Sequence, residues 1–331
     1  MEARSVDEIP SDDGWQYEPK WDGFRCLVFR DGDEIFLQSK AGQPLARYFP
    51  DVVRALADLK EKKFVLDGEL VIPIEGALCF AELQLRLHPA ASRVQKLGAA
   101  HPALFIAFDL LAGTKGKSLL ERPLRERRVQ LEKFAARIFP HEDQIRLSPA
   151  TRDLRQAQKW FERAGGDLDG LIAKRLGASY ASGERTAMVK IKQIRTVDCV
   201  VGGFRYASGA RVIGSLLLGL YDDEGLLHHF GFTSAFKANE KAALTKQFEA
   251  LKKAPGFTGN APGGPSRWST ERSAEWEPVA PKMVVEVTYD HFTGGRFRHG
   301  TKIVRWRKDK APRQCTLDQV AGREGRSIAL L

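Results

Sequence analysis

Cysteine is scarce in this chain. Its 331 residues hold four, Cys26, Cys79, Cys199 and Cys315. They are too far apart to form a C-x-x-C metal pair or a disulfide framework, which leaves reduced thiols of a cytoplasmic protein as the expectation. No apolar run approaches the ~18 residues of a membrane span, and the stretch Met1–Pro10 has no apolar core of the kind a signal peptide carries. Repeats and low-complexity tracts are also missing. Acidic charge is in deficit, with 42 Asp+Glu against 52 Lys+Arg and a net charge of +10. The hydrophobic content of 43% is enough for sizeable cores, and the length suits about two domains.

The basic excess is uneven. Between Arg296 and Arg313 there are eight basic residues and one acid. Clustered cations favour polyanions by counterion release, so Arg296, Arg298, Lys302 and Arg305 are candidate nucleic-acid contacts. A second stripe, Arg152, Arg155 and Lys159, recurs at helical spacing beside an apolar face of Leu154, Ala157, Trp160 and Phe161. For both stretches a solvated basic face is the plainer alternative.

Charged residues inside apolar stretches are more informative. Residues 1–14 read as a polar arm. Lys20 lies between Pro19 and Asp22-Gly23, ahead of the apolar run Cys26-Leu-Val-Phe29, which places it at the mouth of a strand, held by a tight turn. A lysine so placed can be a covalent nucleophile once desolvation or neighbouring cations remove its proton. Strands are predicted at 23–30 and 34–38, joined at Asp31-Gly-Asp33, with a helix over 49–59. The strand 63–72 carries Asp67, Gly68 and Glu69 within apolar residues. Buried charges need a partner or a metal; a bulge with solvent-facing acids is the alternative. Strand 103–111 contains Phe108. The segment 118–136 is basic and amphipathic, interrupted by Pro123. Lys190 and Lys192 alternate with apolar residues, so they share one side of a strand and call for an anion between them. Beyond residue 194, short strands at 197–204, 213–221, 226–231, 283–289 and 301–306 surround a helix at 239–252.

Taken in order, these stretches resemble the motifs of the covalent nucleotidyltransferases, the family of DNA ligases, RNA ligases and mRNA-capping enzymes. Lys20-Trp-Asp-Gly-Phe-Arg25 resembles motif I and Val65-Leu-Asp-Gly-Glu-Leu70 motif III. Phe108-Asp109 resembles motif IIIa, Asp169-Gly-Leu-Ile-Ala-Lys174 motif IV, Val189-Lys-Ile-Lys192 motif V and Arg307-Lys-Asp-Lys310 motif VI. The likeness is greatest to the stand-alone ATP-dependent DNA ligases of bacteria, the ligase C type, including Thr196-Val-Asp-Cys-Val-Val-Gly-Gly-Phe204 and Ile213-Gly-Ser-Leu-Leu-Leu-Gly-Leu220.

The resemblance implies an α+β chain. A nucleotidyltransferase (adenylation) domain of antiparallel sheets with helices would span 1–193. An OB-fold β-barrel for DNA binding would span 194–331, a common nucleic-acid scaffold. It implies that Lys20 takes AMP from ATP, passes it to the 5′-phosphate of a DNA nick, and that the 3′-hydroxyl then displaces AMP. Glu18 would accept the adenine amino group and Phe108 would stack on the base. Arg25 would contact the ribose or the 5′-phosphate, and Lys174, Lys190 and Lys192 would serve the nucleotide, the last two at its α-phosphate. Lys40 stands where the family has the motif Ia arginine, with Arg47 a second candidate donor. Glu69 and Asp169 would hold Mg²⁺ or Mn²⁺, although the family has glutamate where this chain has Asp169. Arg307 and Lys310 would orient the pyrophosphate.

ATP is expected rather than NAD because only 19 residues precede Lys20 and the zinc-binding cysteines of the NAD-dependent enzymes are missing. The expected partners are nicked duplex DNA and other repair proteins. The protein is expected to be a cytoplasmic monomer. An RNA ligase or capping guanylyltransferase, and a non-catalytic DNA-binding module, are the competing readings.

Overall fold

The computed structural model describes residues 1–139, 144–163, 168–263, 275–293, 295–298 and 300–320. It divides into two compact units, Met1–Gln193 and a second that begins at Ile194.

The strands of three or more residues in the first unit are β1 (Arg4–Val6), β2 (Trp15–Trp21), β3 (Phe24–Asp31), β4 (Glu34–Ser39), β5 (Lys63–Val71), β6 (Leu104–Ala112), β7 (Ile145–Leu147), β8 (Leu168–Arg175) and β9 (Met188–Ile191). They form two sheets, ordered β4-β3-β5-β6-β7 and β1-β9-β8-β2. Most pairs are antiparallel, as expected, but β6–β7 and β1–β9 are parallel, so each sheet is mixed at one edge.

Helices α1 (Pro50–Ala57), α2 (Phe80–Arg86), α3 (Ala91–Ala100), α4 (Leu124–Ile138) and α5 (Leu154–Arg163) surround the sheets. Pro123 does not interrupt α4; it is its N-cap, a place where the missing N–H costs nothing. Val28, Leu37, Phe49, Leu56, Leu66 and Phe105, all 0% exposed, form the core on the five-stranded sheet. Two buried ion pairs tie helices to their neighbours. The Arg86 guanidinium donates to both oxygens of Asp51, at 3.2 and 2.7 Å. Arg127 donates to both oxygens of Asp109, at 2.9 Å each.

The N-terminal arm is not free. Arg4–Val6 pairs with Val189–Ile191, and Met1 is buried. Lys20 also lies elsewhere than expected: it is inside β2, not at a strand mouth. Pro19 is tolerated there because β2 is the edge of its sheet, where a missing ladder donor costs little.

The second unit continues with β10 (Arg195–Tyr206), β11 (Ile213–Tyr221), β12 (Leu227–Thr233), α6 (Lys241–Glu249), β13 (Val284–Tyr289) and β14 (Lys302–Trp306). The sheet runs β12-β11-β10-β13-β14 and is antiparallel throughout. One parallel bridge, Thr233 to Thr301, links its two ends. This strand order is consistent with an OB-fold, and among the described residues the barrel is not closed by a ladder. Val200, Phe204, Leu216, Leu218, Val285 and Phe248 of α6 fill the interior. Among the described residues no helix is long and apolar enough to cross a membrane.

His229 of β12 sets a pH limit on this unit. Its Nε2 is buried with no hydrogen-bond partner. Burial, then the charges of Arg205 and Arg296, hold the imidazole down at about 4. The unfolded chain binds that proton near 6.5, so between those values the unfolded state carries more protons. Stability is therefore complete above pH 6.5 and falls as pH drops towards 4, by up to roughly 3 kcal/mol. Urea melts from pH 7.5 to 4.5 should show this loss in the wild type and a much smaller one in His229→Gln.

Candidate active site

The two sheets of the first unit meet at a cavity of about 230 Å³. Eight of the residues expected around a nucleotide line it: Glu18, Lys20, Arg25, Lys40, Glu69, Phe108, Lys174 and Lys190. Lys192 reaches the same place through Asp169, with 3.3 Å between its Nζ and the carboxylate. Arg307 and Lys310 belong to the second unit.

Lys20 is half-buried, and its ammonium is ion-paired with Asp169. The sequence implied cationic surroundings for this amine; its direct contact is a carboxylate. The cause is local. The β2–β8 register shifts between Leu168 and Gly170, which face Trp21 and Lys20, so Asp169 is the extra residue of a bulge and its carboxylate turns toward Lys20. Gly170 makes the bulge possible. Its φ is +133°, and a Cβ there would lie 2.0 Å from the Ile191 carbonyl oxygen. Gly170→Ala should therefore push β8 off β9 and displace Asp169. We expect AMP transfer to fall by about 10²-fold, read from the rate of covalent labelling beside a thermal melt.

Asp169 pairs with Lys20 and with Lys192, and its charge also acts on Lys190. The Lys190 ammonium is held below its ordinary value by desolvation, then by the charges of Lys192, Lys20 and Lys40. A phosphate placed here would relieve that repulsion. Lys40 stands at the exposed rim, 3.4 Å from Glu2. Arg47 is not in the cavity wall. It donates to the Pro89 carbonyl at 3.0 Å and stacks on Tyr48.

At the other end Lys174 donates to Glu18 Oε2 at 2.7 Å, and Gln16 Nε2 donates to Glu18 Oε1 at 2.7 Å. The Lys174 ammonium also lies 4.5 Å from the centre of the Phe108 ring. Glu18 and Lys174 are 2% and 4% exposed, so this is a buried charge pair and not a rim contact.

Arg25 faces Glu69 across the β3–β5 ladder. Its Nε and Nη2 donate to the two oxygens of Asp67 at 3.0 and 2.7 Å, and Nη2 also meets the Tyr180 hydroxyl at 3.2 Å. Nη1 donates to the Met1 carbonyl. Tyr180 in turn donates to Asp67 at 2.8 Å. The bulge of the alternative reading of β5 is present between Asp67 and Gly68, but Asp67 is buried and not solvent-facing. Reading the sequence missed Gln16, Asp67 and Tyr180 as supports. Asp67 could have been found as the second carboxylate of the motif III stretch; Tyr180 carries no local signal.

Glu69 and Asp169 offer hard oxygen donors of the kind Mg²⁺ and Mn²⁺ take. Desolvation pushes the Glu69 carboxyl up to about 8, despite the opposing charges of Lys20 and Arg25 and helped by Asp22 and Asp67. A divalent ion beside this buried carboxyl would offset the cost of its charge, so the chemistry of Glu69 suits such an ion.

The expected nucleic-acid residues lie elsewhere. Arg152, Arg155 and Lys159 are exposed at and along α5, whose Ala157 and Trp160 are buried. Arg152 joins Lys117, Arg122 and Arg125 around a separate cavity of about 610 Å³. In the second unit Arg296 and Lys302 are exposed and Arg298 is half-buried, and Arg305 pairs with Glu286 at 2.6 Å.

Residues 2–192 match the family model of the ATP dependent DNA ligase domain, and residues 209–310 match the ATP dependent DNA ligase C terminal region. The chain is 44% identical over 336 residues to DNA ligase C2 of Mycolicibacterium smegmatis, covering 97% of this chain and 93% of that one. It is 42% identical over 335 residues to DNA ligase C of Mycobacterium tuberculosis, covering 97% and 92%. A solved structure from a structure–function study of Lig E DNA ligases shares the fold, with a TM-score of 0.57 at 15% identity over 93% of this chain and 100% of that one. The matches run through both units, and the chain belongs to the family of ATP-dependent DNA ligases, with the bacterial ligase C proteins among its relatives.

Proposed function

We propose that the protein seals nicks in duplex DNA through an AMP carried on Lys20. The observation that supports this most is the position of Lys20. It lies in the wall of a cavity that also holds the buried Glu18–Lys174 pair, the Phe108 ring and the Lys190 ammonium. Adenine fits the end formed by Glu18, Lys174 and Phe108. Glu18 keeps a free lone pair on each oxygen for the exocyclic amino group, and Phe108, Ile172 and Met188 give apolar walls. The α-phosphate then falls among Lys20, Lys190 and Lys192, beside the Asp169 carboxylate, and offsets the charge of the three cations.

In the first step the neutral Lys20 Nζ attacks the α-phosphorus, the bond to the β-phosphate breaks and pyrophosphate leaves. Asp169, the carboxylate already in contact with Nζ, takes the ammonium proton before the attack, and the proton shed as the P–N bond forms leaves with pyrophosphate. Arg25, fixed by Asp67 and Tyr180, positions the ribose or the incoming 5′-phosphate. Arg307 and Lys310 serve the pyrophosphate. The AMP then moves to the 5′-phosphate at the nick, and the 3′-hydroxyl expels it. Each step is phosphoryl transfer, so rate comes from alignment and charge neutralisation. A divalent ion held by Glu69 and Asp169 would polarise phosphoryl oxygens when bound. Arg296, Arg298, Lys302 and Arg305, with Arg152, Arg155 and Lys159, are the proposed contacts to the DNA backbone.

The test is joining of a nicked duplex with a labelled 5′-phosphate, with Mg²⁺ and either ATP or GTP. Joining with ATP supports the proposal. Joining of nicked RNA but not DNA, or dependence on GTP, would transfer the chain's role to RNA ligation or capping.

A further inference from the structure

We propose that Asp198 positions Arg307 and Lys310 as a single phosphate-binding unit, and that Asp309 is the carboxylate an incoming phosphate displaces from it. The proposal rests on the assignment of Arg307 and Lys310 to pyrophosphate made above.

Asp198 lies near the start of β10 and is 8% exposed. Its backbone is pinned on both sides by one side chain: its N–H donates to Gln319 Oε1 at 3.2 Å, and Gln319 Nε2 donates to its carbonyl at 3.2 Å. Its carboxylate receives Arg307 Nη1 on both oxygens, at 3.0 and 2.9 Å, and Lys310 Nζ on Oδ2 at 2.8 Å. The remaining edge of the guanidinium is taken by Asp309, with Nε at 3.0 Å and Nη2 at 2.8 Å.

Two cations and two carboxylates leave this cluster without net charge. A phosphate gains little from a neutral cluster, so one carboxylate has to leave. The two differ in exposure. The Asp309 side chain is 68% exposed and that of Asp198 11%. Asp309 can rotate into water at small cost. Asp198 would strand two cations in a half-buried place, which is costly. Once Asp309 has turned away the cluster carries one net positive charge. It then presents the Nε–Nη2 edge of Arg307, the fork that matches two phosphate oxygens. Asp198 still grips Nη1 and Lys310, so both cations keep their place. Asp198 touches neither nucleotide nor DNA in this account; it acts through Arg307 and Lys310. More than 100 residues of chain separate it from them, so no local motif joins the three.

The experiment compares full-length wild type, Asp198→Asn, Arg307→Ala and the double variant. Two rates are read: covalent labelling by α-labelled ATP, and sealing of a nick that already carries a 5′-adenylate, which releases no pyrophosphate. Asparagine keeps the size of the side chain, and a thermal melt checks the fold. We expect Asp198→Asn to slow labelling at least tenfold and to seal the adenylated nick within twofold of wild type. In the Arg307→Ala background it should add little, because the two act as one unit. Equal loss of both rates, an unimpaired Asp198→Asn, or full additivity in the double variant would overturn the proposal while leaving the ligase reading in place. A wild type that takes no label and seals nothing would overturn that reading, and this one with it.

Discussion

Lys20→Ala should lose ATP-dependent joining by about 10⁴-fold or more, the scale seen when a covalent nucleophile is removed. It should still seal a nick that already bears a 5′-adenylate, within about tenfold of wild type. The contrast follows from the role proposed for Lys20. In that role it carries AMP through the first two steps, and the third needs only alignment of the 3′-hydroxyl and the activated phosphate. Lys20→Arg should behave like Lys20→Ala, since a guanidinium stays protonated and offers no free amine. Equal loss of joining on both substrates would assign Lys20 to DNA binding or folding instead.

The second large effect is at Glu18. Its carboxylate and the Lys174 ammonium are both nearly sealed from water, 2.7 Å apart. Glu18→Ala leaves the Lys174 ammonium buried with the Phe108 carbonyl, at 3.4 Å, as its remaining hydrogen-bond acceptor among the described residues. Breaking such a pair costs about 3–5 kcal/mol. For a unit of this size that is a fall in melting temperature of roughly 6–20 °C. AMP transfer should fall with it. Glu18→Gln keeps an acceptor and should restore most of the stability but not the charge pairing. Calorimetry on the three proteins reads the first claim, and labelling with ATP reads the second. A Glu18→Ala protein that melts within 2 °C of wild type would contradict the buried-pair account.

The sequence displayed the reacting residues better than their supports. Glu69 and Lys190 stand out because charges inside apolar strands need a reason, and Lys20 because it opens the stretch that resembles motif I. The surroundings of Lys20 were less legible. Pro19 looked like the start of a turn, whereas the chain runs on as strand to Trp21, because β2 is the last strand of its sheet and tolerates the proline there. The polarity of residues 1–14 suggested an arm, yet Arg4–Val6 pairs with a strand some 185 residues further on, a contact that no local pattern announces. Asp169 was legible as a carboxylate near the site but not as the contact of Lys20, because that depends on a one-residue register shift between β2 and β8. Tyr180 and Asp198 were silent for the same reason. Their roles come from partners more than 100 residues away, and only the folded chain brings those partners close.

The measurement that tests the account most directly is the site of covalent nucleotide attachment. Purified protein, first stripped of any bound AMP with pyrophosphate, is incubated with Mg²⁺ and α-labelled ATP or GTP, denatured and digested. The account predicts label from ATP alone, on Lys20, through an acid-labile phosphoramidate. Label on another lysine, label from GTP, or no label at all would contradict it.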